Sequence, residues 1–172
     1  MTMSAEITAV QTEEAGPARP TQYLTFTLGG EVYALDIVKV REVLDFTTLT
    51  RVPRMPEFLR GVINLRGSVV PVVDLRLKFG MPMTEKKVDT CVIIAEVMVD
   101  GERTVLGALA DSVREVIELD PASIAPAPRI GATLRTEFIT GIGTHDGRFV
   151  TVLDIERVFE QGELATVTAA AV

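Results

Sequence analysis

From residue 21 the chain runs in short apolar segments separated by turn residues, with strand-like alternation rather than helical spacing. "QYLTFTL" alternates and is rich in β-formers, so ordered structure is expected to begin there. Gly29-Gly30 turns the chain into "EVYALDI", Asp100-Gly101 separates "VMV" from "ERTVLGALA", and Asp146-Gly147 separates "GTH" from "RFVTVLDI". Asp-Gly between apolar runs predicts a hairpin, because Asp tolerates and Gly freely adopts the positive φ of a type I′ turn. "DIVKVREVL" (36–44) reads as a further strand. Ile37, Lys39, Arg41 and Val43 would share one face, and Val38, Val40, Glu42 and Leu44 the other. The polar lead-in, residues 1–20 with Gly16, Pro17 and Pro20, is expected to be disordered, and the end, 165–172, frayed.

The pattern repeats. "VREVL" (40–44) returns as "VREVI" (113–117), and Pro53 as Pro126 at the same spacing. "EFLRG" (57–61) returns as "EFITG" (137–141), and "VVPVVDLRLKF" (69–79) as "FVTVLDIERVF" (149–159). The second copy carries an insertion around "APRIGATLR". Four matches in one order indicate a duplicated unit of about five short strands, near the lower size at which a domain is stable alone. Five short strands suit a small barrel that removes exposed edges, and two such barrels gain by burying apolar surface against each other. The fold class expected is all-β, with short helices after Asp74 and Asp154. Those carboxylates read as N-caps rather than catalytic groups, and the second helix (about 154–164) should close the fold.

Duplication also supplies an internal control. "GVINLRG" (61–67) stands opposite "GIGTHDG" (141–147), so Arg66 occupies the place of Asp146 and the fold itself does not require an arginine there. Two readings of Arg66 follow. It is either a planar fork of donors offered to a partner's carboxylate or carbonyls, or a solvated or intramolecularly paired loop arginine. Pro71, opposite Thr151, lacks a ladder donor, which predicts an edge or bulged strand.

Composition narrows the function. Seventeen basic against 24 acidic residues give a net charge of -7, which argues against binding phosphate backbones or anionic membranes. An SH3-like module for nucleic acid or another ligand is the alternative, disfavoured by that charge and by few stacking aromatics. Cys91 is the only cysteine and His145 the only histidine. Neither can assemble a multi-ligand zinc site, and a lone histidine in a hairpin bend is a poor catalytic base. No phosphate loop, dinucleotide fingerprint or nucleophile elbow is present, so no catalytic, metal or cofactor residue is assigned. The apolar fraction of 47% leaves more hydrophobic surface than two small cores need, a mark of protein interfaces.

"YLTFTLGGEVYALDIVKVREVL", "GVINLRGSVVPVVDLRLKFG" and "LRTEFITGIG" together resemble the CheW coupling proteins of bacterial chemotaxis. The resemblance implies one CheW-like domain over 21–164. It would contain two intertwined five-stranded SH3-like barrels, the first unit about 22–80 and the second about 90–160, with strands partly exchanged. It implies a cytoplasmic, non-enzymatic adaptor, monomeric when free. Its partners would be the cytoplasmic signalling tip of chemoreceptors and the regulatory domain of the histidine kinase CheA. The receptor-facing positions it implies are Ile37, Val40, Glu42, Val43 and Arg66, with Gly107 and Val113 in the second copy. Kinase contact is implied at Leu49, Arg51 and Val52, and a ring-forming contact at Ala125 and Ile130.

Overall fold

The computed structural model describes residues 20–46, 48–99, 101–126 and 138–158. The C-terminal end expected to fray, the remainder of the N-terminal lead-in and residues 159–164 of the expected closing helix lie outside the described residues.

Among the described residues ten strands form in chain order: β1 Thr21–Leu28, β2 Glu31–Asp36, β3 Val40–Asp45, β4 Leu59–Leu65, β5 Ser68–Asp74, β6 Cys91–Val99, β7 Glu102–Ala110, β8 Ser112–Leu119, β9 Ile139–His145 and β10 Arg148–Leu153. Helix α1, Leu75–Lys78, follows β5. The hairpin turns fall where turn chemistry places them. Gly29-Gly30, Arg66-Gly67 and Asp146-Gly147 all have positive φ at both residues, as a type I′ turn demands.

The strands build two five-stranded sheets, ordered β8-β1-β2-β10-β9 and β3-β6-β7-β5-β4. Under the repeat, β1–β5 correspond to β6–β10, so both sheets have the same order, with the first hairpin supplied by the other copy. The two units are intertwined by exchange of β1-β2 for β6-β7. Parallel pairing of β2 with β10 and of β7 with β5 joins the copies within each sheet.

Each sheet closes on itself through an isolated bridge. Beyond β3, Thr50 exchanges two backbone hydrogen bonds with Val62 of β4 (3.0 and 2.8 Å). Beyond β8, Ala125 does the same with Ile142 of β9 (2.9 and 2.7 Å). These bridges give a physical reason for the glycine that ends "EFLRG" and "EFITG". A β-carbon on Gly61 would lie 2.6 Å from the Thr50 carbonyl oxygen, and one on Gly141 2.5 Å from that of Ala125.

Packing confirms that the halves are inseparable. One cluster of twenty buried residues draws on both sheets, including Phe26, Leu28 and Leu35 from one and Ile93, Leu106 and Val73 from the other. The cores inside the separate barrels are small by comparison, built around Tyr23, Ile117 and Val152 in one and Val72, Val92 and Ile94 in the other.

Asp74 caps α1 by accepting from the Arg76 N–H (3.1 Å). It is also fully buried, and it accepts from the Arg60 guanidinium (2.9 Å) and from the Thr84 hydroxyl (2.7 Å) and N–H (2.9 Å). Asp154 makes the corresponding cap with the Glu156 N–H (3.1 Å), opening a single turn closed by the Val158 N–H on the Asp154 carbonyl (3.2 Å).

Pro71 corrects one expectation. β5 is an interior strand between β7 and β4, not an edge. Val62, opposite Pro71, spends its N–H and C=O on Thr50, so this is a non-hydrogen-bonded pair and the proline nitrogen faces β7. The ladder to β7 begins only at Val72, so no donor is missed.

Gly61→Ala and Gly141→Ala are each expected to destabilise the protein by about 1–3 kcal/mol, since backbone must shift to admit the methyl group. Chemical denaturation checks this, and unchanged midpoints would show that the bridges are not tight.

Candidate functional site

The segment predicted as one continuous strand from 36 to 44 is instead broken twice. Asp36 accepts a hydrogen bond from the Val38 N–H (3.1 Å), which fixes a 3-10 turn over Ile37–Lys39. β3 then carries a bulge at Arg41, since Val40 pairs with Ala95 but Glu42 with Ile94. The bulge resets the alternation. Val40 and Val43, opposite Ala95 and Ile93, share the face turned to the common core, while Glu42 and Leu44 share the face turned into the barrel. Val40 packs against the common core and Val43 stays 40% exposed. The repeat in β8 has its own bulge at Arg114-Glu115, where the buried Thr25 hydroxyl satisfies the freed backbone groups of Glu115.

Arg66 holds φ +52° at the first position of the β4-β5 turn, and Asn64 Oδ1 accepts from the Gly67 N–H (3.0 Å) to brace it. Its side chain is 72% exposed and donates two hydrogen bonds to Glu42, at 2.6 and 2.9 Å. The guanidinium thus pairs within the chain while most of it stays open to solvent. β3 and β4 are the two edge strands of their sheet, so this fork-to-fork pair ties one edge to the turn leaving the other. A cavity of about 190 Å³ lies beside it, lined in part by Leu65, Val70, Ile94 and Val105. The Arg66 hydrogen bond holds the Glu42 carboxyl below the ordinary glutamate range, and Glu42 in turn raises Arg66. In the second barrel the equivalent acid, Glu115, meets His145 at 4.0 Å, and His145 lies 3.5 Å from Asp146. The two barrel mouths thus share a design but not its chemistry.

The remaining expected residues divide by environment. Ile37 and Val113 are half-buried against the common core, beside Val40. Gly107 is buried, and a β-carbon there would lie 2.7 Å from Val92 Cγ1 and 3.3 Å from Val72 Cγ2. Its absent side chain serves packing inside the barrel. Leu49 packs against that same barrel core, while exposed Arg51 and half-buried Val52 line an open groove on the β3-β4 connection. Ala125 is exposed at its bridge to Ile142, and Ile130 lies outside the described residues.

Sequence reasoning did not single out several exposed apolar side chains, among them Val88, at 97%, and Val38 and Phe149, each 76% exposed. A strand pattern gave no means of finding Val38, because the 3-10 turn that lifts it out depends on the Asp36 cap.

The family profile described as "CheW-like domain" matches residues 22–163. The chain is 39% identical over 153 residues to "Chemotaxis protein CheW" of Klebsiella aerogenes, covering 89% of this chain and 90% of that one. It is 32% identical over 142 residues to "Probable chemotaxis protein CheW" of Rhizobium etli, covering 83% and 89%. Among solved structures it matches the scaffolding protein TtCheW from Thermoanaerobacter tengcongensis, with a TM-score of 0.74 and 36% identity over 84% of this chain and 91% of that chain.

The depressed Glu42 value fixes a pH dependence. A carboxyl whose folded pKa lies below its unfolded one stabilises the fold above the unfolded value of 4.5, and that contribution is lost as pH falls through the folded value. Carbon-detected NMR titration should place the Glu42 midpoint below 4.5 in the native protein and return it towards that value in Arg66→Ala. Equal midpoints in both proteins would mean that the pair does not form in solution.

Proposed function

The chain belongs to the CheW family of chemotaxis proteins, and on that premise we propose that it is a non-enzymatic adaptor coupling chemoreceptor tips to the kinase CheA. The observation that supports this reading most is the Arg66–Glu42 pair, present in one copy of a duplicated scaffold and absent from the other. A feature the fold needs would recur in both barrels, and this one does not.

The pair acts by position. It anchors the middle of β3, an edge strand whose bulge brings Val40 and Val43 to one face. Ile37, Val40, Val43 and Val113 then offer a partly open apolar margin beside the common core, suited to an aliphatic face of a receptor helix. The Arg66 guanidinium, paired with Glu42 on the other face of β3, stays largely exposed for a partner's carboxylate or carbonyls. Gly107 contributes by keeping the barrel beneath closely packed.

Kinase contact is assigned to the β3-β4 connection around Arg51 and Val52, with Leu49 as its internal anchor. Ala125 takes in the second barrel the bridging place that Thr50 takes in the first, which suits a second, ring-forming contact there and, by the resemblance, at Ile130. Adaptors of this kind work in the cytoplasm, drawn to receptor arrays through the receptors. No helix among the described residues is long and apolar enough to cross a membrane.

The test is co-sedimentation with a receptor signalling fragment and, separately, with CheA. Arg66→Ala should weaken receptor capture about tenfold or more while leaving kinase capture unchanged; tenfold corresponds to about 1.4 kcal/mol of binding. The exchanged double variant, Glu42→Arg with Arg66→Glu, should regain part of the loss if the pair acts by position. Wild-type protein that captured neither partner would end the adaptor reading, and unaltered receptor capture by a folded Arg66→Ala would end the site assignment.

A further inference from the structure

We infer that the mouth of the second barrel is a pH-operated clasp, in which protonated His145 ties the turn after β9 to β8 through Glu115 and releases it on losing its proton. The clasp stands on its own geometry. Its use in regulation rests on the receptor margin proposed above, to which Val113 of β8 belongs.

The repeat defines what has changed. Glu115 occupies the place of Glu42, His145 that of Leu65 and Asp146 that of Arg66. The first mouth is closed by a guanidinium, which keeps its charge at any pH a folded protein meets. The second keeps the acid on the bulged edge strand but sets another acid where the arginine stood. What touches both acids is the imidazole.

His145 Nε2 lies 4.0 Å from Glu115 Oε2 and 3.5 Å from Asp146 Oδ2. Both distances exceed the about 2.7–3.2 Å of a good hydrogen bond, so the groups are drawn together but not locked. The imidazole is 33% exposed, so solvent protons reach it. The other charges nearby are Arg148, opposite His145 in the β9-β10 register, and Arg114, beside Glu115 in the β8 bulge. Neither makes an ion pair among the described residues.

Protonation changes what this cluster can do. Histidine is the side chain whose charge ordinarily changes between about pH 5 and 8. A protonated imidazole donates from both nitrogens and attracts both carboxylates. A neutral one has a single N–H, and the two acids then repel across the mouth. Glu115 passes the tie into β8, because its backbone is anchored. Its N–H donates to the buried Thr25 Oγ1 (3.1 Å), and its carbonyl accepts from the same hydroxyl (2.7 Å). Val113 lies just across the bulge, paired with Phe26 of β1.

The test is an NMR titration of the full chain without a tag, in which His145 supplies the only imidazole signals. The His145 ring and the backbone amides of Glu115 and Val113 should shift together, with one midpoint between about pH 5 and 8. His145→Gln should abolish that shared step in both amides. Asp146→Arg should hold the Glu115 amide at its acid-limit shift across the range. It restores the first barrel's cation at φ +53°, and Arg66 at +52° shows that arginine accepts this backbone. In thermal melts the wild type should exceed His145→Gln at the acid end of the range, and the difference should be lost as pH rises through the titration. An imidazole that titrates without moving both amides, or amide steps that survive in His145→Gln, would overturn the inference. None of these readouts involves a receptor, so failure of the clasp and failure of the adaptor reading are told apart.

Discussion

The structure depends on apolar surface that neither barrel can bury alone. Among the described residues, twenty buried ones lie in the cluster shared by the two sheets, against six and five in the separate barrel cores. A five-stranded unit of this length is close to the size at which burial stops offsetting chain entropy. Exchange of the first hairpin removes the problem, because every strand of one copy is hydrogen-bonded or packed against the other. The two barrels therefore behave as one body, and surfaces on different barrels keep a fixed separation.

Within this body the two copies have diverged at their mouths and connections rather than in their frames. Gly61 and Gly141 meet the same steric demand, and the turns at Arg66-Gly67 and Asp146-Gly147 have nearly the same φ angles. Yet one mouth is fastened by a permanent cation on Glu42, and the other places a titratable imidazole near Glu115. The connections after β3 and β8 likewise share a closing bridge but carry different side chains. Duplication has left two equivalent frames whose rims carry different side chains.

Much of this was legible along the chain. Hairpins at Gly29-Gly30, Arg66-Gly67 and Asp146-Gly147 follow from local turn chemistry, which nearest neighbours determine. The cap at Asp74 is local too, and so is the repeat, visible because both copies answer to the same packing. The family resemblance brought Glu42 and Arg66 into one site, but the sequence did not reveal that they pair with each other across 24 positions.

What remained hidden depends on contacts between distant segments. A bulge at Arg41 reassigns the faces of β3, because only pairing with β6 determines which residue is left over. Pro71 sits in an interior strand because the β7 ladder happens to start one residue later. The close packing around Gly107 was hidden too, since Val72 and Val92 approach from other strands. By itself the sequence determined strands, turns, caps and duplication, all governed by interactions within a few residues. Tertiary structure alone decided which copy lends its hairpin to which sheet and which charges meet, because those choices minimise exposed apolar surface over the whole chain.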